Sequence, residues 1–360
     1  MNVHSVKVAV IGCSIGGLSI ANVLNRLGFE VIVFEAFSEG FQNRGGALGS
    51  VDTQLLESIL PTGTIQKRIR NHGHFYGDLW HYLYDGLPKS LVKFGIDIQE
   101  ILHPESLKPT LEIEGKLQEF DLIIGADGGK STIRKYVTDA KPQYAGYTLW
   151  RTLLSKDKIN YPPSGSKTIN GIRYETLGFP FIGANQESLW NCGVYMAMPE
   201  NEVEKPTKNR QVSTQNFKQI PDWFLPFIDH LFDKPTLKFW ETAIQSGKVS
   251  PHPVWEFVAE KVVQNRVLLV GDAAHMASPR TGAGAFSAMV DAVVLETAFI
   301  QGKNIDESLK LYNQNTVDRG RELYNRSRKS ASYFAPENRK AVSPKVLIER
   351  LQSQQTLNME

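Results

Sequence analysis

The hydrophobic pattern begins with a short β-branched run, Val6–Ile11, which is typical of a buried strand. A glycine follows directly, and apolar residues then recur at helical spacing from Leu18 to Leu27. A second apolar run, Glu30–Phe34, predicts another buried strand. Strand, glycine turn, helix and strand within about 30 residues predict a βαβ unit with parallel strands.

The middle of the chain predicts short strands separated by turns. We expect a hairpin over Thr110–Phe120 with its turn at Glu114-Gly115, and helical structure over Asn209–Leu231. The other expected strands are Leu91–Phe94, Ile96–Ile101, Leu122–Ile124, Tyr147–Leu154, Lys167–Phe181, Ser188–Met198 and Lys234–Ile244. Those within residues 147–245 predict a mostly antiparallel sheet that is covered on one face.

The C-terminal third returns to an α/β pattern. Val267–Val270 predicts a buried strand, and Ala285–Ile300 and Ile305–Phe334 predict helices. After Pro344, a short amphipathic helix is expected to pack against the chain's own body. The fold class is therefore α/β, with a parallel central sheet, a mostly antiparallel second sheet and C-terminal helices. We expect residues 1–75, 91–140 and 262–334 to form one discontinuous domain, 141–261 a second domain and 335–360 a tail.

Composition narrows the function classes. The formal net charge is only +2, from 40 basic and 38 acidic side chains, which disfavours a nucleic-acid binder. The two cysteines, Cys13 and Cys192, form no metal-ligand or disulfide pattern. We find neither a signal-peptide pattern nor an apolar run long enough to span a bilayer. A cytoplasmic protein is the natural expectation.

The first glycine turn has the features of a dinucleotide site. Gly12 permits a tight turn, Ser14 is small enough for the backbone to approach a pyrophosphate, and Gly17 permits close packing of helix and strand. The open N–H groups at Ile15 and its neighbours would attract the phosphates. Glu35 follows the second strand, where its carboxylate can bind a ribose diol.

A second strand–turn–helix signal lies about 260 residues further along the chain. Gly271 and Asp272 end the Val267–Val270 strand, and the carboxylate could hold a polyol hydroxyl. Pro279 and the turn at Gly282, Ala283 and Gly284 then begin a helix, whose N-terminus carries partial positive charge. This signal alone is equally consistent with an ordinary connection that contains a buried aspartate.

Together, GCSIGG, Arg44-Gly45-Gly46, DLIIGADGGKSTIR and GDAAH…P…GAG resemble the class A flavoprotein monooxygenases over residues 5–335. Weaker matches at Tyr144–Arg151 and Leu189–Asn191 resemble the 2,6-dihydroxypyridine hydroxylase-like branch. The resemblance implies a Rossmann-type FAD-binding domain and a reaction in which NAD(P)H reduces FAD and O2 supplies a hydroxyl group to an aromatic or heteroaromatic ring.

The resemblance also assigns roles to single residues. Gly12, Ser14 and Gly17 would hold the pyrophosphate, Glu35 the adenosine ribose and Arg44 the central part of FAD. Asp127 belongs to the motif for FAD and pyridine-nucleotide binding. Asp272 would bind the ribityl chain, and Gly282–Gly284 would lie behind the isoalloxazine ring. His275 is interpreted as a structural residue rather than an acid or base.

The substrate pocket is expected where the second sheet meets the flavin. Its candidate residues are Arg151, Tyr174, Phe179, Pro180, Asn191 and Tyr195. The sequence identifies no general base and no metal site. We expect no nucleic-acid partner, and a homodimer is one alternative for the oligomeric state.

The chain departs from the family pattern at three places. Phe286 replaces a frequent asparagine, the stretch between Arg44 and Asp121 is short, and a usual arginine is missing near Trp80–Leu87. Two alternatives therefore stay open: a flavin-dependent reductase, dehydrogenase or epoxidase, or an FAD-binding protein with impaired catalysis.

Overall fold

The computed structural model describes residues 6–38, 47–48, 52–61, 74–183, 187–203, 220–337 and 341–357. The chain divides into two compact units, one from residues 1–143 and 256–326 and one from 144–255 and 327–360. The functional assignment of these units stays a prediction. Arg44 and residues 209–219 of the expected helical segment lie outside the described residues.

The strands, in chain order, are β1 (Lys7–Ile11), β2 (Glu30–Glu35), β3 (Ala47–Leu48), β4 (His74–Phe75), β5 (Val92–Phe94), β6 (Thr110–Ile113), β7 (Lys116–Glu119), β8 (Leu122–Gly125), β9 (Gln143–Ser155), β10 (Gly165–Ile169), β11 (Ile172–Ile182), β12 (Ser188–Ala197), β13 (Ser250–Val258), β14 (Val263–Gln264), β15 (Val267–Leu269) and β16 (His275–Met276). The α-helices are α1 (Ile15–Arg26), α2 (Thr53–Ile59), α3 (Tyr76–Asp85), α4 (Phe224–Leu231), α5 (Lys234–Gln245), α6 (Gly284–Gln301), α7 (Ile305–Ala331) and α8 (Pro344–Leu357).

The first unit is built on a six-stranded sheet of order β14-β15-β8-β1-β2-β5. All neighbours from β15 to β5 are parallel, and only β14 is antiparallel. The strands at the centre are apolar and fully buried, as expected for a parallel sheet covered on both faces. The predicted parallel sheet is therefore confirmed.

The second unit carries an antiparallel sheet of order β10-β11-β12-β9-β13. One face packs against α4 and α5 through a cluster of buried aromatic rings, among them Trp150, Phe224 and Trp240. Leu347 and Ile348 of α8 belong to the same core, so the predicted amphipathic tail helix packs on its own chain. The mostly antiparallel second sheet is also confirmed.

Two expected strands were wrong. Lys234–Ile244 lies in helix α5, because Asp233 caps its N-terminus and the buried residues Thr236, Phe239, Trp240 and Ala243 recur at helical spacing. Ile96–Ile101 has no regular structure. Ile98 and Ile101 are nevertheless buried in the core of the first unit. The apolar residues of this segment therefore attach it to the core without forming a strand.

Among the described residues, one helix, α6, is long and apolar enough to cross a membrane by length and composition. We interpret it as a core helix of the first unit. Its buried side chains Met289, Ala292 and Leu295 belong to the main core, and Asp291 at its centre is fully buried and ion-paired.

Candidate functional site

The polar residues that follow the parallel strands meet at one edge of the first sheet. Strand register places Ile11 opposite both Phe34 and Gly125, and Gly125 opposite Leu269. Ile11, Gly125 and Leu269 are the last residues of their strands and Phe34 is the last but one of β2, so the chain segments that follow these strands emerge side by side. This is the edge where ligands bind in open parallel sheets.

The turn between β1 and α1 depends on two glycines. Gly12 has φ +106°, and a Cβ there would lie 2.4 Å from the carbonyl oxygen of Ala126. A Cβ on Gly17 would lie 1.9 Å from the carbonyl oxygen of Gly12. Ile15 is the first residue of α1 and its side chain is buried in the core, so it can offer a ligand only its backbone.

Glu35 lies directly beside this turn. Its carboxylate accepts hydrogen bonds from the backbone N–H groups of Cys13 at 2.8 Å and Phe37 at 3.0 Å. The side chain is buried, and the carboxylate of Glu35 raises the pKa of the Cys13 thiol in addition to the larger effect of burial. The carboxylate is therefore held in place beside the glycine turn at the end of β2, and its contact with a ribose stays a prediction.

Two aromatic residues of α3 support the glycine turn and were missed by sequence reasoning. The Tyr76 hydroxyl and the Ser14 hydroxyl are 2.8 Å apart, and the indole N–H of Trp80 donates to the carbonyl of Cys13 at 2.6 Å. Trp80 is buried. No local pattern connects α3 with a turn more than 60 residues earlier, so only the tertiary structure shows this contact.

Asp127 and Arg134 organise the loop that follows β8. Asp127 accepts the backbone N–H of Thr132 at 2.7 Å, which folds the loop on itself. Arg134 donates to the carbonyl oxygens of Gly129, Asp272 and Ala273, each at 2.9 Å. The guanidinium thus joins the loop after β8 to the loop after β15. Burial lowers the pKa of this guanidinium.

The Asp272 side chain is accessible to solvent. Protein surrounds it closely enough that desolvation raises the pKa of its carboxyl, while His275 and Arg134 act in the opposite direction. A solvent-accessible carboxyl with a shifted pKa is a candidate ligand contact.

The loop before α6 is open. Gly282 and Gly284 are exposed, and a Cβ atom on either would meet nothing within 4 Å. The first N–H groups of an 18-residue helix begin here, with their partial positive charge. A Cβ on Gly16 would lie 3.6 Å from the Cβ of Ala288, so the N-terminal turns of α1 and α6 are neighbours.

Behind these loops lies a buried network centred on Asp291 of α6. Its carboxylate accepts the backbone N–H of Gly271 at 2.7 Å, His275 Nε2 at 2.9 Å and Arg319 Nη1 at 2.8 Å. Burial alone would raise the pKa of Asp291, but these three partners lower it below its ordinary value. The structure therefore places His275 in a supporting network, in agreement with its predicted structural role.

The six expected pocket residues do not share one surface. Strand pairing places Phe179 opposite Asn191, and Gly193 opposite Arg151, on one face of the second sheet. Tyr174 packs against Phe227 in the core of the opposite face. Because side chains alternate along a strand, Pro180 also points away from Phe179. A pocket on the Arg151 face would therefore exclude Tyr174 and Pro180.

Tyr195 lies on the Arg151 face but is buried. Its ring stacks on Phe334, with centroids 5.1 Å apart, and Tyr147 packs beside it. The side chain is 6% exposed and belongs to a small apolar core with Leu149 and Val254. Tyr195 therefore packs beneath the polar side chains of this face and is too buried to contact a substrate directly.

The polar groups of this face form a cluster that includes a residue not found from sequence. Arg151 Nε donates to Asn191 Oδ1 at 3.0 Å, and His252 Nε2 lies 3.0 Å from Ser250 Oγ. Burial and the nearby charge of Arg151 lower the pKa of His252 to about 4. The cluster therefore carries one positive charge beside a neutral imidazole.

Comparison with known proteins agrees with these features. Residues 231–327 match the FAD binding domain family. The chain is 25% identical to the 2,6-dihydroxypyridine 3-monooxygenase of Paenarthrobacter nicotinovorans, over 91% of both chains. It is also 25% identical to the FAD-dependent urate hydroxylase of Klebsiella pneumoniae subsp. pneumoniae, over 90% of this chain and 89% of the relative. The predicted resemblance to the class A flavoprotein monooxygenases is confirmed.

The fold agrees as well. The crystal structure of Klebsiella pneumoniae HpxO complexed with FAD and uric acid has a TM-score of 0.67 at 21% identity, covering 99% of this chain and 94% of that chain. The chain is thus an FAD-dependent oxidoreductase, and FAD is its cofactor. The residues present fit that group, since an open glycine loop, a solvent-accessible carboxylate and two adjacent helix N-termini meet at one edge of the sheet. The individual FAD contacts assigned from the sequence stay predictions.

We predict that Glu35→Ala and Asp272→Ala each weaken FAD binding about tenfold or more, because each removes a charged hydrogen-bond acceptor. Titration of the flavin-free protein with FAD measures the dissociation constant. Asp121→Ala is the matched control, since this carboxylate accepts the backbone N–H of Lys7 before β8, away from the strand ends that form the site. Unchanged FAD affinity in folded Glu35→Ala and Asp272→Ala proteins would refute both assignments.

We also predict that the contribution of His275 to stability decreases at alkaline pH. Burial lowers the pKa of His275, but the charge and hydrogen bond of Asp291 raise it above its ordinary value. Stability from the charged pair is therefore complete below about pH 6.5 and is lost as pH rises through the folded-state pKa. The difference in thermal unfolding temperature between wild type and His275→Gln should shrink from acidic to alkaline pH. A constant difference would contradict a charged imidazole.

Proposed function

We propose that the protein hydroxylates a small, electron-rich aromatic or heteroaromatic ring with FAD, NAD(P)H and O2. The observation that carries this proposal is the convergence of both glycine loops at one sheet edge, in a chain that aligns over nine-tenths of its length with a hydroxylase of this kind. The relatives named above act on dihydroxypyridine and urate, which are both nitrogen heterocycles.

FAD supplies the electron transfer and oxygen activation when it is bound. The protein's part is to bind and orient the reactants and to exclude water. Glu35 and Asp272 would hold the two halves of the cofactor. The N-terminal N–H groups of α6 would favour negative charge on the isoalloxazine ring, since a helix N-terminus carries about half a positive charge.

The polar cluster of the second sheet is the proposed substrate surface. Arg151 supplies a positive charge that favours an ionised or acidic ring substituent. His252 is neutral at physiological pH, so its ring can accept a hydrogen bond from a ring hydroxyl while Ser250 fixes its orientation. Asn191 and Phe179 would add an amide contact and an apolar wall.

We predict that the purified, FAD-loaded protein consumes NAD(P)H faster when a substrate is present and forms an oxygenated product in about equal amount. A panel of phenols, hydroxypyridines and purine-type heterocycles should be tested with NADH and NADPH, with product identified by mass spectrometry. Reduction of a substrate without oxygen would favour a reductase or dehydrogenase, and an epoxide product would favour an epoxidase. FAD binding with no stimulated NAD(P)H oxidation would favour impaired catalysis.

We predict that Arg151→Ala raises the KM for an acidic substrate about tenfold or more while FAD stays bound, because a charge-assisted contact is lost. Steady-state kinetics and the flavin absorption spectrum measure the two effects. Lys167→Ala is the control: it removes a positive charge from the same sheet, but this lysine donates to the carbonyl of His230 on α4. Equal changes in the two variants would argue against a substrate contact at Arg151.

We propose in addition a soluble, cytoplasmic enzyme that acts on a small molecule and needs no nucleic-acid partner. The near-neutral charge and the burial of α6 in the first core support this proposal. A homodimer stays a prediction, which light scattering of the purified protein can test.

A further inference from the structure

Asp291 connects the two parts of the chain that carry the predicted flavin contacts. It lies on α6, two turns after the open Gly282–Gly284 loop, and has no solvent-accessible surface. Its carboxylate accepts the N–H of Gly271, the residue directly before Asp272. The same carboxylate therefore fixes the Asp272 turn to the helix that begins at the Gly282–Gly284 loop.

The other two partners of Asp291 add charge to this connection. His275 Nε2 and Arg319 Nη1 donate to it from β16 and α7. Arg319 also reaches the Ser287 carbonyl at 3.4 Å in the first turns of α6. A buried carboxylate with three donors from three elements has one orientation, since any other leaves a charge unpaired.

The charge on His275 bears directly on Asp272. Three charged groups face the imidazole: Asp291 from α6, Arg319 from α7 and Asp272 from the preceding turn. Burial and Arg319 disfavour the imidazolium, whereas the two carboxylates favour it. Asp272 in turn faces His275, Arg134 and Asp291, and only the two cations favour its ionised form.

We propose that Asp291 is a positioning residue for FAD that acts through His275 and the Gly271 N–H on the carboxylate of Asp272. This inference rests on FAD binding and not on the hydroxylation that we propose. Loss of the Asp291 charge would remove the main group that favours a cationic His275, and Asp272 would lose one of its two counter-charges together with its fixed place.

A double-mutant cycle tests this directly. FAD dissociation constants are measured on the flavin-free, full-length wild type and on Asp291→Asn, Asp272→Asn and the double variant. We expect Asp291→Asn to weaken binding about tenfold or more, as for a lost charged hydrogen bond, and to weaken it far less when Asp272→Asn is already present. Leu295→Ala is the control, because it changes a buried core residue one turn further along α6. It should lower the unfolding temperature but change FAD affinity little, whether residue 272 is Asp or Asn.

Wild-type affinity in folded Asp291→Asn protein would overturn the inference, as would an equal loss with and without Asp272. If Asp291→Asn does not fold, His275→Gln serves instead, because it keeps a donor but removes the charge. Burial raises the pKa of Asp272 and a charged His275 lowers it, so the FAD affinity of His275→Gln should rise with pH as Asp272 ionises and should rise more than that of wild type. Identical pH profiles would overturn the inference, whereas a wild type that binds no FAD would overturn the proposed function first.

Discussion

The close approach of α1 to the sheet governs the geometry of the first unit. A side-chain carbon on residue 17 would lie 1.9 Å from the carbonyl oxygen of Gly12, so the helix can begin at the end of β1 only with glycine at this position. On the other side α6 packs close to α1, since a Cβ on Gly16 would lie in ordinary van der Waals contact with Ala288 at 3.6 Å. The first turns of two helices are thereby brought together, and their unpaired N–H groups meet at the carboxyl edge of one sheet.

The charges behind this edge are costly to bury and are not needed to form a core. Asp291, His275 and Arg319 form an ion network around a carboxylate with no solvent access. Because the desolvation cost of such a network often matches its Coulombic gain, apolar residues could fill the same space at least as stably. The network is better explained by the positions that it fixes. It holds the Gly271 turn, β16 and α6 in one arrangement, and a ligand that contacts all of these elements needs that arrangement.

How far the sequence predicts this site depends on whether a signal is local. The strand–glycine–helix order at Gly12 and the carboxylates after β2 and β15 lie in short segments, and they predicted the fold and the resemblance that the comparisons confirm. The supports are not local: Tyr76 and Trp80 reach the glycine turn from more than 60 residues away, and Asp291 meets its partners across three elements. Apolar spacing over Lys234–Ile244 fits a strand as well as a helix until Asp233 is recognised as a cap. Tyr174 and Arg151 lie on opposite faces of the second sheet. This can be seen only once the pairing register of strands β9, β11 and β12 is known.

The second sheet shows how that same register limits what a substrate surface can be. Gly193 stands directly opposite Arg151, so the neighbouring strand contributes no side chain at the position paired with the arginine. A Cβ at residue 193 would lie 2.5 Å from Leu149 Cδ1, so the Leu149 side chain lies over this glycine and a larger residue there would clash with it. Under the proposed function, a flat ring bound on this face of the sheet would meet Arg151 and neutral His252 at its polar edge and Leu177 and Phe179 along its apolar side. Such a surface would orient a ring by its acidic substituent. Regioselective hydroxylation requires this, because one ring carbon must be held next to the reacting group.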